Sequence, residues 1–156
     1  MTDVHDKATR SKNMRAIGNK NTAIERHISQ VLEQCGFDYR SQVTDLSGRP
    51  DFVIDDYRAI IFTHGCFWHQ HYCSLFRLPA TRTLFWQQKI AANAERDKRS
   101  IADLNCHGWR VLVIWECALR GRYRLSANVL MQRIEEWVCA GQGNASIDTT
   151  GIRAES

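Results

Sequence analysis

Apolar residues recur at helical spacing through Ile24, Ile28, Val31, Leu32 and Cys35 until Gly36 ends the run. Thr22-Ala-Ile-Glu25 has the form of a capping box, whose fourth residue bonds back to the helix start, so a first helix is predicted over about residues 22 to 35. Phe37 to Val43 then reads as a short strand. Asp45-Leu-Ser-Gly-Arg-Pro50 supplies turn residues before Asp51-Phe-Val-Ile-Asp55, and Tyr57 to Thr63 is another β-rich run. The turn at Asp55-Asp56 between those two runs predicts a hairpin. From His64 to Pro79 periodicity is lost and Cys, His and aromatic residues crowd together. Thr83 can cap a long helix reaching roughly His107, with Gly108 as its stop. Trp109 to Trp115 is almost continuously apolar, broken by Arg110, as expected for a strand covered on both faces. Ser126 to Val138 makes a last amphipathic helix with Val129, Leu130, Ile134 and Trp137 on its apolar side. The order helix, three strands, helix, strand, helix makes an α/β sandwich with a mixed sheet. It divides the chain into an N-terminal arm (1–20), one domain (21–140) and a small, polar, flexible C-terminal tail (141–156).

Composition narrows the class. A chain of 156 residues is the size of one ordinary domain, and five tryptophans indicate a globular core. The longest apolar runs, such as Val111 to Trp115, fall far short of a membrane span, and no apolar segment follows the first charges as in a secretory signal. A cytosolic protein is expected. Its six cysteines would then be reduced, which favours metal binding or burial over disulfides. The net charge of +4 permits a nucleic-acid partner without demanding one. Lys7, Arg10, Lys12, Arg15 and Lys20 gather in the arm against Asp3 and Asp6, which suits a DNA-binding arm and a solvated tail equally.

Several residues carry candidate chemistry. If the two runs around Asp55 pair, Asp51 comes beside the Thr63 carbonyl at the far end of the second strand. That pair can hold Mg²⁺, which takes oxygen ligands and only one or two carboxylates. A Pro-Asp pair by itself more often marks a turn. His64 and His69 flank the same segment, and either imidazole is a candidate general base, although isolated histidines are more often structural. Glu25 is explained as well by its capping box as by a place in the site. Cys66, His71 and Cys73 offer three ligands in a short span, and Cys117, just past the Trp109 to Glu116 run, can close a tetrahedral structural zinc site. Cys35, Cys106 and Cys139 sit on helices and read as small buried residues. Phe67, Trp68 and Trp86 are either core or wedges between base pairs, with Lys89 and Asn93 one turn apart beside Trp86 to reach phosphates or base edges. Met14 is either a tail residue or another wedge.

The run GRPDFVIDDYRAIIFTHGCFWHQHYC, the PATRT segment, the Trp86 helix and WRVLVIWECALRG, preceded by SKNMRAI and NTAIE, resemble the Vsr mismatch endonucleases over nearly the whole chain. The resemblance implies a PD-(D/E)xK nuclease-like three-layer sandwich with a mixed central sheet and a structural zinc site. In this variant the usual second acidic residue and lysine are missing, and Thr63 and His64 occupy that strand end. It further implies magnesium on Asp51 and the Thr63 carbonyl, His69 as general base, His64 and Glu25 in support, and zinc on Cys66, His71, Cys73 and Cys117. Phe67, Trp68 and Trp86 would enter double-stranded DNA beside a T:G mismatch left by 5-methylcytosine deamination, nicked 5′ of the T, while the Met14 arm crosses the minor groove. A monomer acting at the bacterial nucleoid is expected, with a MutL-type repair protein as candidate partner. Gln70 departs from the family, standing where a histidine is common. Two other readings stay open: a zinc-held DNA-binding module without catalysis, and a nuclease of the same core that cuts matched DNA on both strands.

Overall fold

The stripe beginning at Ile24 folds as helix α1 (Thr22–Gln34), and Gly36, at φ 80°, turns the chain out of it. This computed structural model describes residues 22–73 and 75–155, so the arm with Met14 lies outside the described residues. The run expected as one strand over Phe37 to Val43 pairs only at β1 (Arg40–Ser41). Gln42 adopts a positive φ of 52°, which breaks the pleat there. The expected hairpin forms between β2 (Phe52–Ile54) and β3 (Ala59–His64), with Phe52 opposite Ile61.

Helix α2 (Thr83–Cys106) leads to β4 (Arg110–Trp115), which runs parallel to β3. Thr83 does not cap α2. Arg82 holds the cap position at φ 54°, and the Thr83 hydroxyl, already inside the first turn, donates back to the Pro79 carbonyl at 2.9 Å. The short helix α3 (Glu116–Leu119) follows β4, and α4 (Ala127–Ala140) starts at Ser126, whose hydroxyl accepts the Val129 amide at 3.2 Å as a helix cap should. Arg110 breaks the apolar run of β4 because its guanidinium serves the far end of α4. It donates to the carbonyls of Trp137 and Val138, each at 3.0 Å, and of Gly141 at 3.2 Å.

The C-terminus departs most from expectation. Instead of a flexible tail, residues 144–155 build β5 (Asn144–Asp148), parallel to β4, and β6 (Gly151–Glu155), antiparallel to β5. The ordered domain therefore extends past 140. Only Ala145 and Ile147 of β5 enter the apolar core, alternating with Ser146 and Asp148, and two residues are too short a pattern to read as a strand. The finished sheet has six strands in sequence order and is mixed.

Helices cover both faces. On one, Ile28 and Leu32 of α1 and Leu130 and Ile134 of α4 pack against Ile61, Ile114 and Ile147. On the other, Leu104 of α2 packs among Ile60, Phe62, Val111 and Val113. Cys106 and Cys139, expected to be buried, are exposed, and Cys35 is half-buried, because a helical position does not by itself say which way it faces. No helix among the described residues is long and apolar enough to cross a membrane.

Ile147→Ala should lower the unfolding free energy by about 2–5 kcal/mol in urea titrations, as for other buried aliphatic truncations. A peripheral tail would leave the midpoint unchanged.

Candidate active site and metal centre

Parallel strands β3 and β4 end level with each other, His64 beside Trp115, and open α/β sheets place ligands in the crevice beyond such carboxyl ends. Asp51, one residue ahead of β2, is carried to this end by the antiparallel register. Asp51 is 3% exposed, and its carboxylate accepts the Thr63 amide at 2.8 Å and the Thr63 hydroxyl at 3.2 Å. The expected neighbour was the Thr63 carbonyl; the observed contacts are to the amide and hydroxyl, while the carbonyl of a strand residue leaves on the same side as its amide. Glu25 lies one residue away in the bonding network. It accepts a hydrogen bond from the Gln42 side chain, and the Gln42 amide donates to the Asp51 carbonyl at 2.9 Å.

His64 and His69 come together as stacked rings, with centroids 3.8 Å apart and planes 6° from parallel. Trp115 meets the His64 ring edge-on at 5.3 Å. Nδ1 of His69 lies 2.5 Å from the Asp97 carboxylate on α2, an imidazole–carboxylate pair that leaves Nε2 as the other proton-exchanging atom of the ring. Nothing in the sequence singled out Asp97. It is one acidic residue on a charge-rich helix, 28 positions from its partner, and only the packing of α2 makes the pair. A cavity of about 670 Å³ opens beside His64, His69 and Asp97, between α2 and the strands β4 to β6.

Cys66 and Cys117 each stand two residues past the level pair His64 and Trp115. With His71 and Cys73 they place four ligand atoms all within 4.8 Å of one another. Nδ1 of His71 is 3.4 Å from the Cys66 sulfur and 3.7 Å from that of Cys117. The hydrogen bond from Cys66 draws the Cys117 thiol down to about 4 against the effect of burial, with His71 adding to the shift, and the same sharing pushes Cys66 up. Three sulfurs and an imidazole nitrogen gathered this closely can hold a divalent cation, which binds sulfur as thiolate and displaces its proton. The loop itself is braced. The Cys66 amide donates to Glu116 at 3.2 Å, and the His71 amide to the Cys66 carbonyl at 2.8 Å.

Phe67, Trp68 and Trp86 form one cluster, with ring centroids 5.1 to 6.0 Å apart. Phe76, Phe85 and Tyr72 extend it, and Tyr72, Leu84 and Phe85 are exposed. These flanking residues were missed, although the neighbouring pair Phe85-Trp86 was a legible signal. Lys89 is exposed on α2.

Residues 2–75 match the family described as DNA mismatch endonuclease Vsr. The chain is 59% identical, over 97% of both sequences, to the DNA mismatch endonuclease Vsr of Escherichia coli strain K12. This chain belongs to the Vsr family. It is also 40% identical to the type II nicking enzyme V.XorIIP of Xanthomonas oryzae over 83% of this chain and 95% of that one. With V.NmeAIP of Neisseria meningitidis it shares 36% identity over 88% of this chain and the whole of the relative.

In this Vsr-family chain, Cys66, His71, Cys73 and Cys117 bring their ligand atoms together, Asp51 bonds to Thr63, and His69 joins His64 and Asp97 past the same end of β3. Asn93 has partners within the protein itself. Its amide nitrogen donates to the Trp68 carbonyl at 3.0 Å and its oxygen accepts from Arg96, so it holds the aromatic loop onto α2. Asn93→Ala should therefore cost about 1 kcal/mol of stability and speed amide exchange between Cys66 and His71. If Asn93 served DNA contact alone, both quantities would match those of the unaltered protein in the absence of DNA.

Proposed function

We propose that this Vsr-family chain is a strand-specific endonuclease that nicks duplex DNA 5′ of the T in T:G mispairs left by 5-methylcytosine deamination, and so starts very short patch repair. The observation that carries the reading is the buried Asp51 carboxylate, bonded to Thr63 at the end of β3, with the His64, His69 and Asp97 set at the same sheet end. A PD-(D/E)xK-like core suits the hairpin, crossover helix and parallel strand that carry these groups.

A hard carboxylate oxygen beside strand backbone fits Mg²⁺, with Asp51 and the Thr63 carbonyl as its protein ligands. Bound there, Mg²⁺ would supply charge to polarise the phosphate and stabilise the departing 3′ oxygen. His69 accepts a proton at Nε2 from the attacking water, whose oxygen bonds to phosphorus as the P–O3′ bond breaks. Asp97 accepts the Nδ1 hydrogen of His69, which keeps Nε2 bare before the reaction and stabilises the imidazolium after it. His64 fixes the plane of the His69 ring by stacking, and Glu25 holds Gln42 and with it the Asp51 backbone. Cys66, His71, Cys73 and Cys117 suit zinc; three thiolates and an imidazole would leave it no open position for water, so such an ion would be structural.

Selectivity follows from the cost of opening a base pair. Inserting Phe67, Trp68 or Trp86 unstacks a step at a cost of about a few kcal/mol, and least at a mismatch. Lys89 approaches the phosphates from α2, and the arm with Met14, outside the described residues, closes on the minor groove.

Matched and T:G-containing duplexes compared on one denaturing gel test the reading. One strand of the T:G duplex alone should be nicked, and only with magnesium; cutting of both strands of matched DNA would make this a restriction-type nuclease, and no cutting a binding module. Asp51→Asn should bind the mismatch and fail to nick; near-normal cleavage by that variant removes the metal assignment. Asp97→Asn should lower the nicking rate by about 100-fold, the range of a misdirected general base, with mismatch binding retained. A wild-type rate for Asp97→Asn in single-turnover assays would exclude the pairing from the reaction.

A further inference from the structure

Asp148 ends β5 and is one of four buried polar residues among those described, with Asp51, His64 and Ser146. Its Oδ1 accepts the Thr150 amide at 2.8 Å and the Thr150 hydroxyl at 2.6 Å, which accounts for the turn into β6. Its Oδ2 is bonded to Arg153 at 3.1 Å and also faces Nε2 of His71 at 3.8 Å. The turn does not need that second approach. The opposite nitrogen of the same ring, Nδ1, points at the sulfurs of Cys66 and Cys117. Trp115 lies flat on the His71 ring, with centroids 4.3 Å apart and planes 11° from parallel, so the ring's plane is set and only its flip remains to be chosen.

We propose that Asp148 is a positioning residue of the metal centre: it receives the Nε2 hydrogen of His71 and thereby presents a bare Nδ1 to the ion. The proposal rests on reading the Cys66, His71, Cys73 and Cys117 cluster as a zinc site. In a neutral imidazole one nitrogen carries the hydrogen and the other the lone pair, and a carboxylate on one side with sulfurs on the other selects a single tautomer. Closing 3.8 Å to a hydrogen bond takes a shift of about 1 Å, or one bridging water. The C-terminal hairpin, expected to be a tail, thus becomes a working part of the centre that holds the His69 loop in place.

The test is the rate at which zinc passes from the purified protein to a chromogenic chelator. Asp148→Asn should release zinc about 10–100-fold faster, as when a ligating histidine loses its carboxylate partner. Thr150→Val loosens the same turn but keeps the carboxylate, and should release zinc at close to the wild-type rate. Equal release by Asp148→Asn and the unaltered protein overturns the proposal, and so does an equally fast Thr150→Val. A measurement on the unaltered zinc protein decides the matter even if Asp148→Asn does not fold. Nitrogen-15 NMR of His71 should show an Nε2 proton held in a hydrogen bond and slow to exchange with water; an Nε2 proton that exchanges freely, or a proton on Nδ1, overturns the assignment. A wild-type protein that carries no zinc at all would instead remove the zinc reading, a result distinct from failure of the Asp148 role alone.

Discussion

The parallel pairing of β3 with β4 is the constraint on which both centres depend. It runs from Ala59 beside Arg110 to His64 beside Trp115, and neighbouring strands in a sheet lie about 4.8 Å apart. Because the two strands end level, the residues that follow them emerge side by side, and Cys66 and Cys117, each two positions further on, meet without any long-range search. Glu116 then ties the amide of Cys66 back to the end of β4. The loop carrying His69 is fixed between these points, so the stacking of His69 on His64 and its contact with Asp97 follow from the placement of the sulfur cluster.

The buried polar residues mark where this constraint is put to use. Removing a carboxylate from water is costly unless it is hydrogen-bonded, and the fold provides partners in each case. Asp51 has the Thr63 amide and hydroxyl, and Asp148 has Thr150 and Arg153. Burial works against ionisation of Asp148, but the Thr150 hydrogen bonds and the Arg153 charge outweigh it and hold its carboxyl below the usual range. Asp51 and Asp148 stand at the ends of different strands, one beside each of the two centres. Helix α2 completes the arrangement from the other side of the sheet, with Leu104 in the core, Asp97 on His69 and Asn93 on the Trp68 carbonyl. One helix thereby sets the separation between the aromatic cluster and the imidazoles.

Local pattern sufficed for much of this chain. The stripe from Ile24 to Leu32, the apolar run of β4 and the Ser126 cap are each written within about a dozen neighbouring residues, where periodicity and capping act. The Cys and His residues between His64 and Pro79 marked a candidate metal loop by residue type, and the resemblance to the Vsr motifs added candidate roles for the residues around it. What remained illegible has a common cause. The β5–β6 hairpin exists because β4 offers an open edge to Ala145 and Ile147, which are too few to form a pattern of their own. The pairing of Asp97 with His69, and of Asp148 with His71, joins residues far apart in sequence through the packing of a helix and the closing of a sheet. Residue types and their local spacing are encoded along the chain, but which nitrogen of a histidine faces a sulfur and which faces a carboxylate is decided only when distant elements pack, because that choice depends on distances no local segment contains.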